Sequence, residues 1–203
     1  MREHFSYSQL NSFKGCKKAY WYRYVENIPW PTTSIEAFSG SVAHETIEWL
    51  YRQRISGTSP DRKKTERQFN AFWSRDIKKT DVVVPRQGIN QTHYRNEVKR
   101  AVIDFHSAIF QLDRSETIML EEKVSIDIDG NEYIGFVDRI AKSGSKITVI
   151  DYKTSRSTQG ADDDDWLQLR AYAVAFMATN LIENVDICYE YIVLGETYRA
   201  TIN

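Results

Sequence analysis

The chain has 203 residues, of which 41% are hydrophobic, 13% aromatic and 27% charged, with a formal net charge of −1. That is a globular composition, and it excludes disordered, collagen-like and low-complexity classes. No apolar run nears the ~20 residues needed to span a bilayer. The opening Met1-Arg2-Glu3-His4-Phe5-Ser6 lacks the apolar stretch of a signal peptide, so a cytoplasmic protein without membrane contact is expected. Cys16 and Cys188 are the only cysteines, which rules out a disulfide framework. The small net charge hides an asymmetry. Residues 1–100 carry 18 Lys and Arg against 10 Asp and Glu, a balance of +8; residues 101–203 carry 9 against 18, a balance of −9. A basic half suggests a polyanion partner, and an acidic half can hold cations.

Along the chain, Ser6 or Ser8 is placed to cap a short helix that Gly15 interrupts, before an aromatic and basic stretch that Pro29 and Pro31 end. Residues 36–55 read as a helix with Val42, Ala43, Thr46, Ile47 and Leu50 on one broad face. Two Lys- and Arg-rich helices are expected at 61–79 and 91–113, with a loop around Pro85 and Gly88 between them. After residue 116 the period changes to alternation. Val124, Ile126 and Ile128 precede Asp129-Gly130, a strong hairpin signal. Strands are expected at 132–140 and 146–153, a helix at about 165–179 and strands from 185 to the C-terminus. The acidic run Asp162–Asp165 reads as a charge cluster at that helix's N-terminus. Helices followed by three strands, a helix and further strands make an α+β protein. It is expected to be a single domain over 1–203, with a basic helical lobe at 57–115 and a sheet–helix core at 116–203.

Two strand segments carry the chemistry, Gly135-Phe136-Val137-Asp138 and Val149-Ile150-Asp151-Tyr152-Lys153. Alternation puts Ile134, Phe136, Asp138 and Ile140 on one face, and Ile147, Val149, Asp151 and Lys153 on another strand's face. If the two strands form a hairpin, Asp138 and Asp151 share a sheet face as diagonal neighbours about 7–8 Å apart. Carboxylates set among Ile, Phe and Val must be paired or must hold a metal. Mg²⁺ suits one or two carboxylates together with phosphate oxygens, and Lys153 is placed to assist a water or a phosphate. A plain ion pair of Asp138 or Asp151 with Arg139 or Lys153 is the simpler alternative. Gly40 and His44 stand four apart on the second helix, as do Gln168 and Tyr172 on the later one.

In this order, Gly40-x-x-x-His44, Glu121, Gly135-x-x-Asp138, Asp151-x-Lys153 and Gln168-x-x-x-Tyr172 resemble the RecB-like branch of the PD-(D/E)xK nuclease superfamily. That branch includes the nuclease domains of RecB and AddB and the Cas4 nucleases. The opening Phe5 to Tyr24 and the phrase Ile150-Asp151-Tyr152-Lys153-Thr154-Ser155 look like its N-terminus and its central motif. The resemblance implies a restriction-endonuclease-like core, a mixed central β-sheet flanked by helices, with an N-terminal helical lobe. It implies that His44, Asp138, Asp151 and the Tyr152 backbone carbonyl ligate Mg²⁺ or Mn²⁺. Lys153 would be the catalytic lysine, ordered with the DNA strand by Gln168 and Tyr172. Glu121 matches an acidic position on the first core strand, with Glu122 as the alternative one residue away.

The implied activity is a metal-dependent deoxyribonuclease acting on single-stranded DNA or on single-stranded ends and flaps, in repair, recombination, phage replication or CRISPR adaptation. A catalytically degenerate DNA-binding module is the alternative. Cas4- and AddB-type members hold a [4Fe–4S] cluster on four cysteines. Cys16 and Cys188 cannot supply four thiolates, so no iron–sulfur cluster is expected in this chain as it stands. Either it belongs to a cluster-free subgroup, or further cysteines lie outside this sequence. Lys63, Lys64, Arg67, Lys78, Lys79, Lys99 and Arg100 are the candidates for phosphate contact. Tyr20, Trp21, Tyr22, Tyr24 and Trp30 suit base stacking, but most of them are expected to pack the N-terminal segment against the core.

Overall fold

A computed structural model describes residues 4–85, 88–158 and 163–203, without the side chains of 163–165. The Asp162–Asp165 run therefore lies outside the described side chains. The chain opens with β1 (His4–Phe5) and α1 (Tyr7–Gly15), where Ser6 and Gln9 form a reciprocal capping box. α2 (Lys17–Tyr20) runs into a π-helical turn at Trp21–Val25. Three helices follow, α3 (Ile35–Ile55), α4 (Arg62–Asp76) and α5 (Gln91–Phe105), which a π-helical turn extends to Phe110. Ser34, Asp61 and Asn90 cap the three helices by accepting a backbone N–H three residues on. Thr33–Ser34 (β2) and Val82–Val83 (β3), the latter within the stretch expected to be a loop, pair as a small parallel sheet.

The main sheet holds β4 (Glu116–Ile128), β5 (Asn131–Ser143), β6 (Lys146–Lys153), β7 (Val185–Tyr191) and β8 (Glu196–Ile202). Asp129 and Gly130, with φ of 53° and 78°, make the tight turn expected between β4 and β5. β4, β5 and β6 are antiparallel neighbours; α6 (Asp163–Asn180) then carries the chain to β7, which runs parallel to β6, and β8 closes antiparallel. β1 pairs with β5 in parallel at Glu132–Tyr133, a stretch for which β6 provides no partner.

Alternating residues feed two cores on opposite faces of this sheet. Ile150 and Tyr152 pack with Leu50 and Tyr51 of α3 and Phe105 of α5, whereas Ile147 and Val149 pack with Leu169 and Phe176 of α6. Full burial of such side chains contributes about 1.5–3 kcal/mol each. On β5 the alternation fails. Tyr133, Val137 and Ile140 all join the α6 core, so parity switches between Val137 and Ile140. The expected shared face of Ile134, Phe136, Asp138 and Ile140 is therefore incorrect, and Phe136 is 61% exposed.

The switch turns Arg139 toward α3. Arg139 is 1% exposed. Its guanidinium donates to Thr117 Oγ1 at 2.9 Å, Asp113 Oδ2 at 2.7 Å and Ser115 Oγ at 2.7 Å, and lies 3.8 Å from the centroid of the Tyr51 ring. Tyr51 also donates to Asp113, and Arg54 donates to the Asp113 and Phe110 carbonyls. This network joins α3, the end of α5, β4 and β5. Arg139 is thus committed to Asp113 and is not the partner of Asp138 or Asp151.

Burial alone would raise the Asp113 carboxyl, but hydrogen bonds from Ser115 and the Arg139 charge hold it below its ordinary range. Asp113→Asn leaves a buried guanidinium without its counter-charge and is expected to destabilise the fold by about 3–5 kcal/mol. A lower urea midpoint at unchanged slope would report this. The contribution of the carboxylate is complete above its unfolded value of about 3.9. It is lost as pH falls through the lower folded value. Wild type should therefore lose more stability than the variant on acidification below about pH 4, and equal acid sensitivity would contradict the assignment.

Candidate active site and metal centre

The site forms where β5 and β6 part. Their ladder runs from Ser143 opposite Lys146 to Arg139 opposite Ile150, and Asp138 and Asp151 are the next positions in that register, just past its last pair. They are not the diagonal neighbours expected. Asp138 Oδ2 accepts the Tyr152 N–H at 2.8 Å, which ties the side chain of β5 to the backbone of β6. Asp151 has the parity of Val149, on the α6 face, whereas Asp138 reaches His44 on α3. The two carboxylates meet across the gap between the strands, not on one face.

Glu121 stands opposite Asp138, between the register pairs Leu120–Arg139 and Glu122–Val137. Its φ is 52°, a left-handed conformation that is uncommon for a side-chain-bearing residue within a strand. One candidate ligand atom each from His44, Glu121 and Asp138 lies within 4.8 Å of the other two. Glu122 is exposed and pairs in register with Val137, so the acidic residue in the cluster is Glu121.

His44 Nδ1 is 3.3 Å from Asp138 Oδ2. Burial opposes a charge on this imidazole, but Asp138, Asp151 and Glu121 together hold its pKa up at about 9. Burial and the Asp138 charge push the Glu121 carboxyl up to about 7. Burial, then Asp138, also raise Asp151, with Lys153 opposing. Carboxyl groups such as Glu121 and Asp151, whose ionisation is opposed by burial and then by a neighbouring negative charge, are stabilised by a cation, and the His/Glu/Asp oxygen and nitrogen donors suit a divalent one. The donor set therefore fits a metal ion.

Lys153 Nζ is 2.8 Å from Asp151 Oδ2 and donates to Gln168 Oε1 at 3.2 Å. Burial would lower its pKa, but Asp151 outweighs that and keeps the lysine charged. Gln168 Nε2 in turn donates to the Tyr172 hydroxyl at 2.9 Å. These three form one chain, the arrangement that the i, i+4 spacing on α6 permits. Gly135 explains how the tyrosine fits. A Cβ at Gly135 would lie 2.0 Å from Tyr172 Cε1, so the ring rests directly on the strand backbone. A Cβ at Gly40 would meet the Thr154 hydroxyl at 2.9 Å, so the glycine admits that side chain against α3.

An acidic cleft of about 530 Å³ opens on the α3 side, lined by His44, Glu121, Gly40, Thr154 and three further glutamates. Those three have other partners: Glu36 accepts from Tyr94, Glu45 from Arg75, and Glu48 from Arg52. On the α6 side, Lys153 and Gln168 line a smaller cavity of about 200 Å³ with Tyr7, Tyr189 and Tyr191. The sequence reading missed Tyr7 and Tyr189; a tyrosine two residues after the strand His4–Phe5 gives no signal of its own.

The basic candidates divide by position. Lys63, Lys64, Arg67, Lys78, Lys79 and Arg100 are exposed, while Lys99 is half-buried and pairs with Glu66. Arg100 lies 3.7 Å from Asp104. The start of α4 lies by the end of α5, where the Pro60 carbonyl meets His106 and where Arg54 closes α3. Its far end lies by the cleft, where Arg75 holds Glu45 and Trp73 packs on Phe38. Ten residues of α3 separate His44 from Arg54, about 15 Å of rise. Lys78 and Lys79 thus stand near the cleft, and Lys63, Lys64 and Arg67 at the remote end. Among the described residues no helix is long and apolar enough to cross a membrane.

The family model of the PD-(D/E)XK nuclease superfamily matches residues 4–198. No curated protein matches the chain. Fourteen chains of solved structures do. One, described as "Crystal structure of SSO0001", is 14% identical and the match covers 86% of this chain and 68% of that one, with a TM-score of 0.31.

Gly135→Ala should displace Tyr172 and, through Gln168, loosen Lys153. The overlap is expected to cost about 1–3 kcal/mol, as overpacking typically does. Tyr172→Ala removes the obstruction, so Gly135→Ala should cost little further stability in that background. Thermal melts of both single variants and the double variant measure this coupling, and additive losses would contradict the contact.

Proposed function

This chain belongs to the PD-(D/E)XK nuclease superfamily, and on that premise we propose that it is a Mg²⁺- or Mn²⁺-dependent deoxyribonuclease of the RecB-like branch, cutting single-stranded DNA or the single-stranded ends and flaps of duplexes. The observation that carries the reading is the convergence of His44, Glu121 and Asp138 within 4.8 Å, beside the Asp151–Lys153 pair. His44, Glu121 and Asp138 would hold the cation, with Asp151 and the Tyr152 carbonyl at its edge. A bound divalent cation supplies Lewis-acid stabilisation of the phosphate and activation of water. Asp151 keeps Lys153 charged and in place. The Lys153 ammonium would stabilise charge developing on a non-bridging phosphate oxygen or orient the attacking water. Gln168 and Tyr172 fix the lysine, and the ring's seat on Gly135 fixes Tyr172. A basic helical lobe at 57–115 would guide the strand to a sheet–helix core at 116–203, within one domain.

Asp138→Ala is expected to abolish cleavage of labelled DNA. It should also shrink the rise in melting temperature that Mn²⁺ gives wild type, because a ligand stabilises the folded state by mass action. An unchanged Mn²⁺ shift in the variant would remove Asp138 from the metal site. Binding of DNA by wild type without metal-dependent cutting would favour a degenerate, binding-only module.

The cleft geometry ranks the basic residues. Charge reversal at Lys78 and Lys79 should weaken DNA binding and flatten its salt dependence by roughly 0.7 per lost contact on single strands. Reversal at Lys63, Lys64 and Arg67 should act less on short oligonucleotides, since these stand at the remote end of α4. Isotherms across salt concentrations measure both, and a larger effect from the remote triplet would invert the ranking.

A further inference from the structure

The N-terminal segment does not do what its composition suggests. Most of its aromatic residues were expected to be core, yet Phe13 is 46%, Trp21 52% and Trp30 59% exposed, and Tyr22 and Ile28 are exposed with them. Tyr20 and Tyr24 turn inward and line a cavity with His4 and Phe5 of β1. The outward side presents Trp21, Tyr22 and Trp30, all exposed, with Phe13 set edge-on against Tyr20. Large exposed aromatic side chains gathered in one segment are a feature of interaction sites.

Its cations are interleaved with the rings. Lys17 Nζ lies 5.4 Å from the Phe13 ring centroid, Lys18 Nζ 5.8 Å from that of Tyr22, and Arg23 5.3 Å from that of Tyr24. Lys17 and Trp21, like Lys18 and Tyr22, are four apart, so each cation and ring share a helix face. Rings for bases alternating with cations for phosphates are the elements of single-strand binding. The arm also starts at the site. Tyr7, the first residue of α1, lines the cavity that holds Lys153 and Gln168, and β1 just before it is stitched to β5.

We propose that the outward face of residues 13–30 is a stacking platform for single-stranded DNA, which it delivers to the cavity beside Lys153. This rests on the nuclease reading above and deepens it, naming the part of the chain that selects single strands. Charge complementarity picks the occupant: Lys17 and Lys18 stand against Phe13 and Tyr22 beside the exposed Trp21, and a polyanion with flat bases uses both cations and rings, whereas a purely apolar protein-binding surface has no need of the cations.

The test uses the full chain, chelator and a fluorescent oligo-dT of about 20 nucleotides, a length that spans one or more sites of the usual 4–16 nucleotides. Trp21→Ala/Tyr22→Ala is expected to weaken oligo-dT binding by about 5- to 150-fold per lost stack. Lys17→Ala/Lys18→Ala should weaken it and reduce its salt dependence. Neither variant should change the affinity for a blunt duplex of equal length, or the Mn²⁺-induced rise in melting temperature. Wild-type affinity for oligo-dT in the Trp21/Tyr22 variant overturns the proposal. So does a dimer, seen by light scattering, that these substitutions dissolve while oligo-dT binding persists, because the surface is then a contact between copies. The nuclease reading is tested separately by Mn²⁺-dependent cutting in wild type; loss of cutting with the arm effect intact fails that reading alone.

Discussion

At Tyr152 a backbone N–H donates to a carboxylate instead of a carbonyl, and the site depends on that substitution. A strand N–H beyond the last ladder pair must find a partner or lose the free energy of a buried hydrogen bond. Asp138 satisfies it from the neighbouring strand. The two strands can then separate without an orphaned donor, and the space between them becomes available to side chains. The left-handed residue at Glu121 does the corresponding work on the other flank of β5, turning a carboxylate toward the gap.

Electrostatics follows from that geometry. Three carboxylates drawn toward one gap repel one another, and the fold counters this from two directions. His44 comes from α3 and Lys153 from the sheet itself, and the acids each one faces raise its pKa against the effect of burial. The arrangement is rigid on both sides because each flank has its own core, one under α3 and α5 and one under α6. The Arg139–Asp113 network locks the parity switch next door. It spends a buried ion pair on fixing which way one residue of β5 points, and the neighbouring Asp138 inherits its direction.

Much of this was legible in the chain. Asp129-Gly130 announces its turn, the alternation after 116 announces the strands, and the four-residue spacings of Gly40 with His44 and of Gln168 with Tyr172 survive intact as helix faces. The failures share a cause. Alternation gives the face of a residue only while the strand is regular, and β5 changes parity beside Asp138, so faces read from Phe136 to Ile140 came out wrong. The choice between Glu121 and Glu122 was open for the same reason, since a left-handed backbone cannot be read from a Glu-Glu pair. The partner of Arg139 was hidden because Asp113 lies 26 positions away and charge alone does not choose between acids. The aromatic arm misled in a different way, for ring-rich composition favours burial and says nothing about which rings have something to be buried against.

The pairing of His4 and Phe5 with Glu132 and Tyr133 has a consequence for how the molecule is made. Closing so long a loop adds little to its thermodynamic cost, which grows only with the logarithm of length. Kinetically it is a late event, because distant contacts form after local ones. On a ribosome adding about 5–20 residues per second, some 6–26 s pass between the emergence of the first strand and that of its partner. For that interval the aromatic arm is tethered to nothing in the sheet. Helix α1 has its own capping box and α4 and α5 can assemble on α3, but the segment that begins beside Lys153 is among the last to be anchored there. The nascent chain therefore carries its exposed rings free of the site, and the two come into register only once the central hairpin exists.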